Sequence, residues 1–387
     1  MSRFATAALT VGLLVSTANS AVAQDAGEFR RSTYHDFRIV TVAEGLVNPW
    51  SMTFLPNGDM LVTERPGRLR IIRDGALISA SVEGLPEIYV RGQGGLLDVV
   101  AHPDFGRNSM LYISYSKPGE ENGASTTAII RARFENDALH DVEELFVANS
   151  AGRGHYGSRI IFDGQGHIFF SVGDRQASTN ADLPTHPAQD RSNHHGTINR
   201  LMEDGTIPPD NPFIGMQGVE PSIYSYGHRN PQGLIFIPET GDIWATEHGP
   251  QGGDEFNRIL PGLNYGWPVV GFGVNYGSGT AIHDGTIRED VEPPAHFWVP
   301  SIATSGLMRY TGDRFPTWHG NVFVGGLAGE QVARLTLDGD VVVSEETLLQ
   351  GLGRVRDVRQ GPDGFIYIAL EDRSGEPSTL VRLEPAS

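Results

Sequence analysis

The 387-residue chain contains no cysteine. Disulfides, thiolate metal sites and cysteine nucleophiles are therefore excluded, and stability must come from core burial and bound ions. Positive charge is scarce: 29 Lys and Arg face 47 Asp and Glu, a formal charge of −18 at pH 7. Nucleic acid and anionic lipid need clustered Lys and Arg, so neither is expected as a partner. Any local arginine cluster becomes informative for the same reason. Past the N-terminus no apolar run approaches the ~20 residues of a membrane span. Helical periodicity over the lengths that βαβ units need is missing too.

What is present begins with residues 1–23, which read as a secretory signal peptide. Arg3 is a single early charge, an apolar run passes through Leu9, Val11 and Leu13 to Val15, and Ala21-Val22-Ala23 forms an A-x-A cleavage pattern. The mature protein is expected to be periplasmic or secreted. Residues 24–36 form an N-terminal segment and 37–385 a single domain, with no low-complexity linker to divide it.

A turn followed by a short strand recurs along the chain. Pro56-Asn57-Gly58-Asp59 leads into Met60 to Glu64, Asp163-Gly164-Gln165-Gly166 into Ile168 to Asp174, and Pro238-Glu239-Thr240-Gly241 into Asp242 to Glu247. Pro362-Asp363-Gly364 leads into Phe365 to Glu371. Looser copies are Arg107-Asn108-Ser109 before Met110 to Ser114, and Trp318-His319-Gly320-Asn321 before Val322 to Val324. Polar Gly-containing turns feeding β-branched and aromatic runs are strand signals, and 48 glycines with 24 prolines suit many short strands. Six copies predict an all-β fold, a six-bladed β-propeller with one copy per blade. An extended β-sandwich or a seven-bladed ring is the alternative. Phe37 to Val42 and Thr379 to Leu383 are both strand-like, and their pairing would close the ring and remove exposed sheet edges.

Several residues can carry chemistry. His155 sits in the glycine-flanked run Gly152 to Ser158, where an accessible imidazole can accept a proton near neutral pH. Asp174 ends the strand of the same blade and can fix its tautomer. Arg354 and Arg356 alternate, so an extended backbone points both guanidiniums one way, toward internal carboxylates or an anionic ligand. The run Gly227-His228-Arg229-Asn230-Pro231-Gln232-Gly233 offers a cation beside an amide. Glu247-His248-Gly249-Pro250 and Asp254-Glu255 follow, with carbonyls and carboxylates of the kind a hard cation such as calcium prefers. Gln93 lies among glycines in Arg91 to Leu97, and no phosphate-loop pattern is present there. His194-His195 resembles a ligand pair, but adjacent side chains diverge and the structural reading is favoured.

Taken together, these segments resemble the glucose/sorbosone dehydrogenase family of exported aldose sugar dehydrogenases that use pyrroloquinoline quinone (PQQ). The motifs are Gly92-Gln93-Gly94-Gly95-Leu96, His155-Tyr156-Gly157-Ser158-Arg159, Tyr226 to Gly233, Glu247 to Pro250, Asp254-Glu255, Asn264-Tyr265-Gly266-Trp267-Pro268 and Arg354 to Asp357. The resemblance implies a six-bladed propeller and a reaction in which an aldose loses hydride from C1 to calcium-bound PQQ and becomes a lactone. An external electron acceptor then reoxidises the cofactor. It implies His155 as general base and Asp174 as its orienting carboxylate. Arg229, Asn230, Arg354, Arg356, Gln93 and His155 would bind the cofactor, with Trp298 over the quinone or the sugar. Carbonyls of Gly249 and Pro250 would hold one calcium, and Glu255 with the Tyr265 carbonyl a second. Two positions depart from the family pattern: Ala328 stands where a cofactor-contacting lysine is common, with Arg334 a candidate replacement, and Thr197 replaces another lysine. A calcium-dependent propeller lactonase and a non-catalytic binding propeller are the rival classes, and monomer and homodimer remain equally open.

Overall fold

The computed structural model describes residues 27–119 and 124–386. The signal-peptide reading lies outside the described residues. Within them the chain forms six antiparallel sheets, five of four strands and one of five. The first strands of the sheets are Pro49–Phe54, Leu96–Ala101, Ile160–Phe162, Pro231–Ile237, Thr304–Arg309 and Arg354–Gln360. Each packs on the next, and Arg354–Gln360 returns to Pro49–Phe54, so the six form a ring about one axis. This is the six-bladed propeller.

The six turn-and-strand repeats all become second strands: Met60–Glu64, Met110–Pro118, His167–Val172, Asp242–Glu247, Val322–Gly326 and Ile366–Glu371. A second strand has neighbours on both edges and blades on both faces, which explains its mostly apolar sequence. Met60–Glu64 and Ile366–Glu371 are buried throughout. The turns are held locally. Asn57 Oδ1 accepts the Asp59 N–H at 3.1 Å, and Asp163 Oδ1 accepts those of Gln165 (2.8 Å) and His167 (3.1 Å).

The hydrophobic core is divided between the blades. One cluster joins Leu61, Leu69 and Ile71 of the first sheet to Val99, Ile113 and Ile130 of the second. The next joins Tyr112 and Ile129 to Ile168 and Phe170. The pattern continues round the ring to a cluster of Met52 and Val62 with Ala369 and Leu380. Each blade thus buries both faces against its neighbours, which is how a closed ring supplies a core without cysteine.

Closure uses both ends of the chain. Phe37–Val47 pairs antiparallel with Pro377–Pro385, from Phe37 opposite Pro385 to Val47 opposite Pro377, with register shifts between Thr41 and Ala43 and between Glu44 and Leu46. Glu28–Arg30 adds a fifth, outer strand by pairing with Phe37 to Ile39. At the axis an ion network ties the inner strands together. Arg159, 1% exposed, lies 3.2 Å from Asp98 and 3.3 Å from Asp357. Arg359 pairs with Asp357 at 3.0 Å, Ser51 donates to Asp98 at 2.5 Å, and Arg159 Nε donates to the Gln232 carbonyl at 2.8 Å. Five blades are cross-linked by this network, four residues along from His155.

Candidate active site

His155 is held by three restraints. Its backbone is left-handed, with φ of 43°, in a loop that also places Gly157 and Ser158 at positive φ. Its N–H donates to Gln93 Oε1 at 2.7 Å, which joins the glycine-rich loop of the second blade to the third. Its Nδ1 lies 2.6 Å from Asp174 Oδ1. An ionised carboxylate can only accept, so Nδ1 carries the hydrogen and Nε2 is the basic atom. Gly173 is required beside this loop, because a Cβ there would sit 2.2 Å from the His155 carbonyl oxygen.

Asp174 is 1% exposed and fully engaged. Its Oδ2 accepts from Trp267 Nε1 at 2.7 Å, and Oδ1 also accepts the Gln176 N–H at 2.9 Å. Burial pushes its pKa up, but the charge and hydrogen bond of His155, with Arg229 nearby, outweigh burial and leave it below the usual carboxylate value. Burial pushes His155 down. Asp174 opposes that, while Arg229 and Arg175 add to it, so the imidazole is held neutral below its ordinary value.

Arg229 stands at the same cleft. Its backbone N–H donates to Glu247 Oε2 at 2.6 Å, its Nη1 donates to the carbonyls of His248 (3.1 Å) and Gly249 (2.7 Å), and its guanidinium lies 5.1 Å from the Trp267 ring centre. Its Nε is buried without a partner. Asn230 uses its carbonyl oxygen to accept the Gly157 N–H at 3.1 Å, so it braces the His155 loop. His155, Asp174, Arg229, Pro250, Trp267 and Tyr276 line one cavity of about 240 Å³.

Across the mouth, Arg354 and Arg356 converge on one carboxylate, Glu371. Arg356 donates to Glu371 Oε2 at 2.6 and 3.0 Å and to Gln232 Oε1 at 2.9 Å. Arg354 Nη2 is 4.0 Å from Glu371, Arg354 Nη1 donates to the Leu327 carbonyl at 3.1 Å, and its Nε is buried and unpartnered. Arg65 reaches the same carboxylate at 3.5 Å and donates to the Gly92 carbonyl. Three guanidiniums thus share a single negative charge. His248 lies between this group and Arg229. Burial first, then Arg229 and Arg356, press its pKa well below 6.5.

The carbonyl and carboxylate candidates sit next to Arg229. Gly249 O accepts from Arg229, and Pro250 O accepts from Tyr276 Oη at 3.0 Å. Glu255 and Tyr265, with Glu247, line a void of about 10 Å³, room for one water-sized or ion-sized centre. Burial, and then the negative charge of Glu247, drive the Glu255 pKa well above its ordinary value. Glu247 and Glu255 face this small void, whose lining also includes Arg229 and His248. Among the described residues no group of three or more His, Asp or Glu is arranged to hold a metal.

Some expectations need correction. Trp298 is not brought to the cavity. It pairs with Asp254 on the outer edge of its sheet, its ring is buried with Trp244, Phe256 and Val324, and Nε1 donates to Glu345 at 2.9 Å. Trp267 is the indole at the site instead. Arg334 does not stand in for the missing lysine, since it is committed to Glu346 at 2.7 Å and covers Tyr34. Ala328 is exposed, and Thr197 is buried on the His194 carbonyl, Oγ1 donating at 3.0 Å. Arg65, Gln232 and Glu371 were missed because they lie on three different blades, and nothing in their spacing joins them.

Comparison with known proteins identifies the family. The family model described as glucose/sorbosone dehydrogenase matches residues 46–382. An aldose sugar dehydrogenase of Escherichia coli (strain K12) is 39% identical over 90% of this chain and 92% of its own. A quinoprotein glucose dehydrogenase B of Acinetobacter calcoaceticus is 26% identical over 94% of this chain and 91% of its own. The solved PQQ-bound form of an aldose sugar dehydrogenase from Streptomyces coelicolor superposes with a TM-score of 0.72 at 27% identity, covering 90% of this chain and 98% of that one. The chain belongs to the glucose/sorbosone dehydrogenase family.

Proposed function

We propose that this protein is a periplasmic or secreted quinoprotein that oxidises aldose sugars at C1 to lactones, using PQQ and calcium. The observation that carries the reading is the hydrogen-bonded series His155–Asp174–Trp267, opening into the same cavity as Arg229. A neutral imidazole fixed through Nδ1 is a general base, and a guanidinium beside it recognises an anion.

The residues present fit a tricarboxylate cofactor. Arg229 and Arg354 each bury an unpartnered Nε, and among the described residues Arg65, Arg354 and Arg356 share Glu371 as their ion-pair carboxylate. Arg229, Arg354 and Arg356 would hold its carboxylates, with Gln93 and Asn230 fixing the His155 loop against it. Calcium prefers carbonyl oxygens, and those of Gly249 and Pro250 are engaged by Arg229 and Tyr276, which would release them to an ion. Glu255 and Tyr265 suit a second ion at the small void, where it would offset the repulsion between Glu247 and Glu255. When bound, PQQ supplies an electrophilic carbon that accepts hydride, and calcium supplies Lewis acidity.

The protein's own part is positional and protolytic. His155 Nε2 takes the proton of the sugar's anomeric hydroxyl as hydride leaves C1. Asp174 stabilises the imidazolium that results, and Trp267 keeps Asp174 from turning away. An external acceptor removes the electrons afterwards. The lactonase alternative needs metal-binding carboxylates on the axis, but Asp98 and Asp357 there are paired with Arg159 and Arg359.

Reconstitution with PQQ and calcium, assayed with aldoses and an artificial acceptor, tests the reading. His155→Gln should lose about 10²- to 10⁴-fold in kcat and still bind PQQ in an absorbance titration. A wild-type protein that neither binds micromolar PQQ nor oxidises any aldose would sink the reading.

A further inference from the structure

Arg175 follows Asp174 directly and, among the described residues, has no partner carboxylate at ion-pair distance. It and Gln176 are consecutive non-glycine residues in left-handed backbone, with φ of 59° and 57°. Such residues cost free energy that the surroundings must supply, and they gather where a site needs them. Here the turn sends the Arg175 side chain back against the His155 loop.

Arg175 is 3% exposed; both terminal nitrogens of its guanidinium donate to backbone carbonyls, and its Nε is buried without a partner. Nη1 donates to the carbonyls of Gly154 (2.5 Å) and His155 (3.0 Å), and Nη2 to those of Ser125 (3.2 Å) and Gly152 (3.1 Å). It lies 3.7 Å from the Tyr156 ring centre, and Tyr156 Oη is 2.6 Å from Ser125 Oγ. Three of the four acceptors belong to the run that carries His155. A lysine has one point of charge and no planar fork, so it cannot serve four carbonyls and a ring face together.

We infer that Arg175 is a positioning residue for His155, which both pins the backbone of the histidine loop and keeps a permanent positive charge beside the His155–Asp174 pair. The inference rests on the reading of His155 as the base. The charged and titratable groups facing His155 are Asp174 on one side and Arg229, Arg175 and the neutral His248 on the others. Asp174 favours the imidazolium, while burial and the two arginines favour the neutral ring. Arg175 therefore does two separable things: its fork sets geometry, and its charge extends the range in which His155 is neutral toward acid.

Two variants separate these effects. In Arg175→Gln the His155 titration, followed by NMR in apo-protein with the His155 resonance assigned by its loss in His155→Gln, should move to higher pH. The acid limb of kcat/KM in the PQQ- and calcium-loaded enzyme should move the same way, with kcat down about 10- to 100-fold. Arg175→Lys keeps the charge, so its titration should stay within a few tenths of a pH unit of wild type while kcat still falls. If Arg175→Gln is too unstable to titrate, Arg175→Lys decides alone: unchanged kcat overturns the positioning role. Equal titrations of His155 in all three proteins overturn the electrostatic role. Failure of the wild type to bind PQQ would remove the base reading, but the apo-protein titration would still report whether Arg175 governs His155.

Discussion

Acid should destabilise this protein through His194 by an amount the structure allows to be worked out. His194 is buried, with its ring edge-on to Phe146. Nδ1 accepts the Asn149 N–H at 2.8 Å and Nε2 lies 2.9 Å from Ser222 Oγ. Because Nδ1 must accept, the ring has to be neutral, and burial holds its pKa down at about 4 against 6.5, with Glu220 opposing and His195 assisting. Between those values the unfolded chain carries a proton that the folded protein does not. Stability is therefore full above pH 6.5 and lost as pH falls. Over that range each pH unit below 6.5 removes about 1.4 kcal/mol, so the loss from pH 7.5 to 5 is about 2 kcal/mol from this group alone. Urea unfolding at both pH values, compared between wild type and His194→Gln, isolates it from the other buried histidines. The variant is less stable at pH 7.5, but its decline toward pH 5 should be smaller by about 2 kcal/mol. Equal declines in the two proteins would refute the argument.

Two further outcomes follow from the packing. Trp298→Phe removes the donor to Glu345 and should cost about 1 kcal/mol in denaturant unfolding, while sugar oxidation and PQQ affinity stay at wild-type values; a lost activity would return Trp298 to the site. Asp98→Asn leaves Arg159 buried beside one carboxylate fewer at the axis and should lower stability by about 3–5 kcal/mol, read as a fall in the urea midpoint at unchanged m-value.

The repeats were legible because a second strand in a propeller blade is buried on both faces and is therefore mostly apolar, with polar residues toward its end. Met60–Glu64 and Ile366–Glu371 announce themselves for that reason, and the turn chemistry of Asn57 and Asp163 marks where they begin. Closure was legible in Phe37 to Val42 and Thr379 to Leu383, since two isolated strand-like ends need a partner. The outer strand Glu28–Arg30 was not, being short and mostly exposed. At the site, Arg354 and Arg356 announced a shared direction by alternation, but not that Glu371 would already engage Arg356. Trp267 and Trp298 are both indoles within two residues of a proline, and local pattern offers no way to rank them. One meets Asp174 and the other Glu345, and each partner lies far away in the chain.

What the sequence by itself determined is whatever depends on near neighbours or on composition: an all-β ring of six repeats, an acidic surface, no disulfides, and motifs of the glucose/sorbosone dehydrogenase family. What only the tertiary structure decided is which distant side chains share a charge. Arg65, Arg354 and Arg356 meet at Glu371, and Arg175 turns away from acids to grip the carbonyls around His155. The physical reason is that strand pattern is set residue by residue, by burial and turn geometry. Electrostatic partnership depends on distance in space, which ring closure fixes among residues hundreds of positions apart.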